Sequence, residues 1–181
     1  MAGDLPAFTS EGLLPPGDYE MTLAELRQSL LVHGPVGAPN WDSAWRAQLV
    51  ENLGTLAGQL WKVGIQNIFV DGSFVEAKDH PNDIDGYFEC DRLELFSGRL
   101  ASALKALDPV WTWDPASRTP HAGSTKGQLP MWHRYRVELF PHYGQSSGIL
   151  DQHGHQLEFP SAFRRSRLHH PRGIIKLLRQ P

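Results

Sequence analysis

The feature that most constrains the fold is a pair of apolar runs joined by a glycine-serine turn and a short loop. Residues 65–70 form a short, mainly apolar run with several β-branched side chains, and they lead within two positions to Gly72 and Ser73. A second run with apolar residues, residues 83–90, begins with Asp-Ile-Asp ten residues after the serine. Short apolar runs bounded by turn residues are typical of buried strands. The segment therefore predicts two strands that meet at a tight turn.

The acidic repeat at the start of the second run predicts a cation site. Side chains two apart on a strand share a face, with Cα atoms about 6.5 Å apart, so Asp83 and Asp85 converge while Ile84 points to the core. Two carboxylates suit Mg²⁺ or Mn²⁺, which also take phosphate oxygens as ligands. Gly72 lets the backbone approach a phosphate, and the Ser73 hydroxyl adds a donor. Together the two halves predict a metal-nucleotide site.

This combination resembles the polymerase-β-like nucleotidyltransferase superfamily. Its pattern is an apolar strand, Gly-Ser or Gly-Gly, a short gap, and then Asp-x-Asp or Asp-x-Glu between apolar residues. The resemblance covers mainly residues 65–90. Residues 14–17 and 71–74 also resemble a bacterial subgroup of the superfamily, a likeness that names no substrate.

The resemblance implies roles for individual residues. In the superfamily a third carboxylate on a neighbouring strand completes the metal site, and Glu138 stands at that place, where the family usually has Asp. The resemblance thus gives the metal-binding and catalytic roles to Asp83, Asp85 and Glu138. It gives nucleotide binding to Gly72 and Ser73. Lys78, in the loop between the two halves, is either a phosphate contact or a solvated side chain.

The remaining periodicity predicts an α/β fold, with a small mixed sheet, helices packed on it and one nucleotidyltransferase-like domain. Predicted helices run from the capping box at Thr22 to about Leu31, from Asp42 or Ser43 to Gly64, and over residues 92–107. Residues 134–142 alternate in their middle and predict a third strand, and a short helix is predicted near Ile174 to Leu178. The predicted division is an extended arm over residues 1–20, a domain over 21–160 and a basic tail over 161–181.

Composition restricts the partners. The formal net charge is −3, so a polyanion must be held by a local patch. Cys90 is the single cysteine, which excludes an intramolecular disulfide and a cysteine-based zinc site. No stretch approaches the roughly 18 apolar residues of a membrane span, and the first residues lack a secretory pattern. We therefore expect a cytoplasmic protein without a membrane partner.

Several side chains keep two interpretations. Asp71 is read as a cap for the following turn rather than a metal ligand, and Trp132 is either a core residue or a stacking platform. The basic side chains of the tail hold a triphosphate or an RNA, or they are simply solvated. These are Arg164, Arg165, Arg167, Arg172, Lys176 and Arg179.

Two functions follow from the sequence. The first is transfer of a nucleoside monophosphate from an NTP to a hydroxyl of a protein, a tRNA end or a small molecule, and it resembles the minimal nucleotidyltransferases of toxin–antitoxin and defence modules. The second is a catalytically degenerate module that binds a nucleotide or a partner protein. The glutamate at 138 and the short chain favour the second function.

Overall fold

A five-stranded mixed β-sheet forms the centre of the molecule. The computed structural model describes residues 5–166 and 168–180. The strands are β1 Asp18–Thr22, β2 Ile68–Asp71, β3 Ile84–Glu89, β4 Thr119–Pro120, β5 Gly127–Gln128, β6 Val137–His142, β7 Ser146–Leu150, β8 Gln156–Glu158 and β9 Ile174–Leu178. The sheet has the order β1-β9-β2-β3-β6, and β4-β5 and β7-β8 form two small ribbons. This arrangement confirms the predicted mixed sheet of an α/β fold.

Short and long helices surround the sheet. They are α1 Leu23–Arg27, α2 Leu30–His33, α3 Ser43–Lys62, α4 Arg92–Phe96, α5 Arg99–Leu107, α6 Pro130–Tyr135 and α7 Phe159–Phe163. The capping box predicted at Thr22 is present. Among the described residues, no helix combines the length and the apolar character needed to cross a lipid bilayer.

The strand directions bring the predicted site strands side by side. β2 is antiparallel to β3, and β3 is parallel to β6, with Asp85 opposite both Asp71 and Glu138. On β3 the odd positions 85 and 87 therefore face away from Ile84 and Phe88, which are fully buried in the core. The helix α3 covers that core face with a row of buried leucines, at positions 49, 53, 56 and 60.

Four predicted elements differ from the structure. The helix predicted from Thr22 to about Leu31 is two helices, α1 and α2, because Ser29 caps the start of the second one. The stripe over residues 92–107 is divided into α4 and α5 at Gly98, which has a left-handed backbone, so Leu93 and Phe96 are exposed. The third strand begins only at Val137, because α6 occupies the preceding residues.

The predicted helix near Ile174 to Leu178 is wrong, because this segment is β9. A short apolar run fits a helix or a strand by pattern alone. Here Ile175 and Leu177 enter the main core while Ile174 packs on the opposite face, an alternation that only a strand allows. With β1 beside it, the predicted arm and tail both contribute strands to the sheet.

A buried guanidinium fixes the loop that follows β2. Arg46 on α3 has no exposed surface and donates to the carbonyl oxygens of Leu31, Phe74, Glu76 and Lys78. Burial lowers its pKa to about 9, and its guanidinium lies 3.9 Å from the centre of the Trp41 ring. Together with the Trp45 indole, which donates to the Pro81 carbonyl, this side chain ties the loop from β2 to β3 to the helix layer.

We expect Arg46→Met to destabilise the protein by at least about 3 kcal/mol, because four carbonyl groups lose their donor inside the protein. Urea denaturation followed by tryptophan fluorescence measures the change. Arg99→Met is the control, since Arg99 forms an exposed ion pair with Glu94 and its loss should have little effect on stability. Equal losses for the two variants would contradict a structural role for Arg46.

Candidate functional site

The glycine-serine turn is packed directly against the acidic strand. Gly72 starts a 3₁₀ turn, Gly72–Val75, with a φ of +77°. A Cβ atom at this position would lie 2.5 Å from the Oδ2 atom of Asp85. Only glycine combines this backbone conformation with so close an approach. The two halves of the predicted site are therefore one unit.

This unit forms part of the wall of a large cleft of about 1150 Å³. The predicted site residues that line the cleft are Gly72, Ser73, Lys78, Asp83 and Asp85. Its volume is slightly above the range of about 300–1,000 Å³ that is usual for small-molecule sites. Glu138 lies beside Asp85 in the sheet but does not line the cleft, and it is 5% exposed.

Two of the predicted metal ligands already have protein partners. The Oε1 atom of Glu138 accepts a hydrogen bond of 3.0 Å from the Leu129 amide and lies 3.6 Å from the Arg118 guanidinium. The Oδ2 atom of Asp83 accepts a hydrogen bond of 2.6 Å from the Trp132 indole.

The donor chemistry suits a hard cation, but the observed arrangement does not complete a site. Within residues 5–166 and 168–180, no three His, Cys, Asp or Glu side chains are grouped closely enough to hold a metal ion. Asp83 and Asp85 supply oxygen donors of the kind that Mg²⁺ prefers. A third ligand from Glu138 would require its carboxylate to leave the Leu129 amide.

Two buried carboxyl groups have pKa values far above the usual range. Burial, and then the charges of Asp83 and Glu138, raise the pKa of Asp85 to about 7. Burial also raises the pKa of Asp71 to about 7, against the opposing charge of Arg172. Perturbed carboxyl groups in a cleft are typical of functional sites.

Asp71 does not cap the turn. Its side chain makes no capping hydrogen bond and instead forms an ion pair with the Arg172 guanidinium at 2.7 Å. Arg172 also contacts the Glu76 carboxylate and donates to the Phe163 carbonyl. Arg172, which is distant in the sequence, thus anchors the glycine-serine turn through the acidic residues on either side of it.

The predicted basic tail is not a single patch. Arg164 pairs with Asp18, and Lys176 pairs with Glu20, both on the face of the sheet opposite α3. Arg165 and Arg172 line the cleft, Arg179 is exposed, and Arg167 lies outside the described residues.

A second polar wall of the cleft consists mostly of residues that were not predicted from the sequence. This wall comes from residues 119–136 and includes His121, Lys126, Gln128 and Arg136. No local pattern marks these residues, because they meet only when the β4-β5 ribbon and α6 fold against β6. Trp132 lies in the same wall and is 4% exposed, with the Arg136 guanidinium 4.0 Å from its ring centre. It is a core residue rather than an open stacking platform.

A family model covers all of these elements. The model of a family of unknown function, DUF6932, matches residues 6–178. The chain belongs to this family. No curated protein and no solved structure matches the sequence. The match includes every strand of the DUF6932 sheet from β1 to β9 and every cleft residue named above.

In this DUF6932 protein, Gly72→Ala tests the contact between the turn and Asp85. Gly64→Ala is the matched control, because Gly64 also has a positive φ, of +92°, but open space around it. The control should lose roughly 1 kcal/mol from backbone strain. Gly72→Ala should lose a further 1–3 kcal/mol or so, because Asp85 must move. Urea unfolding of both variants makes the comparison, and equal losses would show that the contact is not restrictive.

The raised pKa of Asp85 predicts a pH dependence of stability. A carboxyl group with a higher pKa in the folded state contributes stability that is present below its unfolded pKa, near 4, and is lost as pH rises through 7. Asp85→Asn should therefore gain more than about 1 kcal/mol relative to the natural protein between pH 5 and pH 8. Thermal unfolding in a chelating buffer measures it. Asp79→Asn, at an exposed position of the loop between β2 and β3, should show no such gain. Parallel profiles of stability against pH for all three proteins would refute the prediction.

Proposed function

We propose that this protein is a metal-dependent nucleotidyltransferase that transfers a nucleoside monophosphate from an NTP to a hydroxyl group. The observation that carries the proposal is the seating of Gly72 against the Asp85 carboxylate inside a cleft of nucleotide size. The pattern of these residues resembles the polymerase-β-like superfamily. The register of β2, β3 and β6, which sets three acidic positions side by side, supports the same proposal.

Each residue has a role in this proposal. Asp83 and Asp85 would hold Mg²⁺ or Mn²⁺, which when bound neutralises phosphate charge and favours ionisation of an attacking hydroxyl. The backbone at Gly72 and the Ser73 hydroxyl position a phosphate, and Lys78 at the cleft wall adds a positive charge. The acceptor oxygen forms a bond to the α-phosphorus, the bond to the β-phosphate breaks, and pyrophosphate leaves with its electron pair. The hydroxyl proton is released to solvent.

The acceptor is a protein, an RNA or a small molecule, and a role in a toxin–antitoxin or defence module in the cytoplasm fits the resemblance. The cleft is lined by both polar and apolar side chains, so it suits an acceptor that has both polar and apolar groups. Leu157, Phe163 and Leu168 line one part of it, away from the carboxylates in sequence.

A second candidate function is a binding module that keeps the fold without catalysis. The observation in its favour is that the Glu138 carboxylate is committed to the Leu129 amide and to Arg118. In that case the cleft binds a nucleotide or a partner protein and transfers nothing.

Labelled NTPs separate the two functions. The protein is incubated with each NTP, Mg²⁺ or Mn²⁺ and a panel of tRNA and protein acceptors, and NTP binding is measured by calorimetry in parallel. Asp83→Asn/Asp85→Asn should reduce transfer by at least about 100-fold, while the exposed Asp79→Asn should leave it unchanged.

The outcomes discriminate between the candidates. Transfer that survives the double substitution rules out the assigned carboxylates. NTP binding without transfer to any acceptor favours the binding module, and absence of both leaves only a partner-protein role for the cleft.

A further inference from the structure

One wall of the cleft carries two cations that form no close ion pair among the described residues, although the charge of Lys126 acts on Asp85 at longer range. Lys126 and Arg136 both line the cleft, and within the described part of the chain neither forms an ion pair with a carboxylate. Arg172, elsewhere in the same cleft, is instead paired with Asp71 and Glu76. The cleft therefore contains two kinds of cation. Arg172 is paired within the fold, whereas Lys126 and Arg136 are available to a ligand.

Arg136 occupies a backbone position that normally selects glycine or asparagine. It is the C-terminal cap of α6 and has a φ of +55°, in the left-handed region. Its amide donates to the Trp132 carbonyl, and its own carbonyl accepts from the Ile84 amide at the start of the acidic strand. A left-handed conformation costs a non-glycine residue roughly 1–2 kcal/mol. Strain of this kind is concentrated at functional sites.

The Arg136 side chain is held in place but not saturated. Its guanidinium lies 4.0 Å from the centre of the Trp132 ring, and a hydrogen bond of 3.4 Å joins it to the His121 ring nitrogen. A guanidinium has five N–H donors in a fixed fork, the geometry that suits phosphate oxygens. Most of these donors remain free for a ligand among the described residues.

Gln128 provides a second, independent observation. It lies on β5 in the same wall, is 6% exposed, and its Oε1 atom has no hydrogen-bond partner in the described residues. A buried acceptor without a donor is costly. Because Gln128 lines the cleft, a rotation of its amide would let this atom accept a hydrogen bond from a hydroxyl group of a bound ligand, as in a nucleotide or a sugar phosphate.

We propose that Lys126, Arg136 and Gln128 form a phosphate site on this wall, separate from the Gly72-Ser73 turn, for a ligand that carries both phosphate and hydroxyl groups. The ligand is the donor nucleotide or a phosphorylated acceptor, an identification that rests on the proposed transferase function. The two cations supply the charge, the guanidinium supplies a bidentate contact, and Gln128 binds the hydroxyl. This wall lies next to Asp83, because the Trp132 indole in the wall donates a hydrogen bond to the Asp83 carboxylate.

The test is binding of inorganic tripolyphosphate, measured by calorimetry with and without Mg²⁺. The site variants are Arg136→Asn, which tolerates the left-handed backbone, and Lys126→Gln. The control is Lys105→Gln, which removes one charge at an exposed position of α5. Each site variant should weaken binding by about 10-fold or more, and the control should leave it unchanged. Arg136→Lys, which keeps the charge but loses the fork, should fall between the natural protein and Arg136→Asn.

Competition identifies the source of the phosphate. A nucleoside monophosphate that displaces tripolyphosphate supports a single-phosphate site for the acceptor, whereas displacement by NTP alone supports the donor nucleotide. Gln128→Leu should weaken the nucleotides more than tripolyphosphate, since only the nucleotides carry a hydroxyl.

Tripolyphosphate binding that is equal in the natural protein, Arg136→Asn and Lys126→Gln would overturn the site, even if nucleotidyl transfer is observed. Conversely, binding that depends on these residues in a protein that transfers nothing keeps the site and removes the proposed transferase function. Thermal unfolding of each variant establishes that it is folded.

Discussion

The buried guanidinium of Arg46 is the interaction on which the site depends. The loop after β2 must leave the sheet, turn at Gly72 and return to β3, and it has little secondary structure of its own. Its carbonyl groups point inward and need donors. Arg46 supplies several of them from the rigid helix α3. The geometry of Gly72 against Asp85 is thus determined by the helix layer behind the sheet as well as by the strands.

The opposite side of the same turn is held by an ion pair. Arg172 reaches Asp71 and Glu76 and is connected through the Phe163 carbonyl to the end of α7. Removing a buried partner from such a pair leaves an uncompensated charge, which is more costly than the pair is stabilising. The turn is therefore held between two cations, Arg46 on the core side and Arg172 on the cleft side. The neighbouring Asp83 and Asp85 line the cleft.

The sequence was sufficient to predict the two strands that carry the site, but it did not predict the residues that form the walls of the cleft around them. Gly72, Asp83 and Asp85 lie in one short segment, so alternation and turn chemistry place them correctly. β9 could not be assigned, because four apolar residues around one lysine fit either period until their neighbours β1 and β2 are known. The ion pairs of Arg172 could not be predicted either, since Asp71 and Glu76 lie far away in the chain. No local pattern marked Arg136. Glu138 was placed correctly beside Asp85, but its bond to the Leu129 amide depends on a turn that no pattern revealed.

The position of β9 has a consequence for how the protein is made. β9 lies between β1 and β2, and its pairing with β1 joins residues 156 positions apart, such as Asp18 and Ile174. Until residues 174–178 have left the ribosome, β1 has no strand to pair with and β2 keeps an open edge. The acidic strand and its turn are synthesised long before that edge is closed. A nascent chain therefore carries an unpaired, apolar β2 edge while residues 72–178 are being synthesised, and an open edge of this kind favours aggregation.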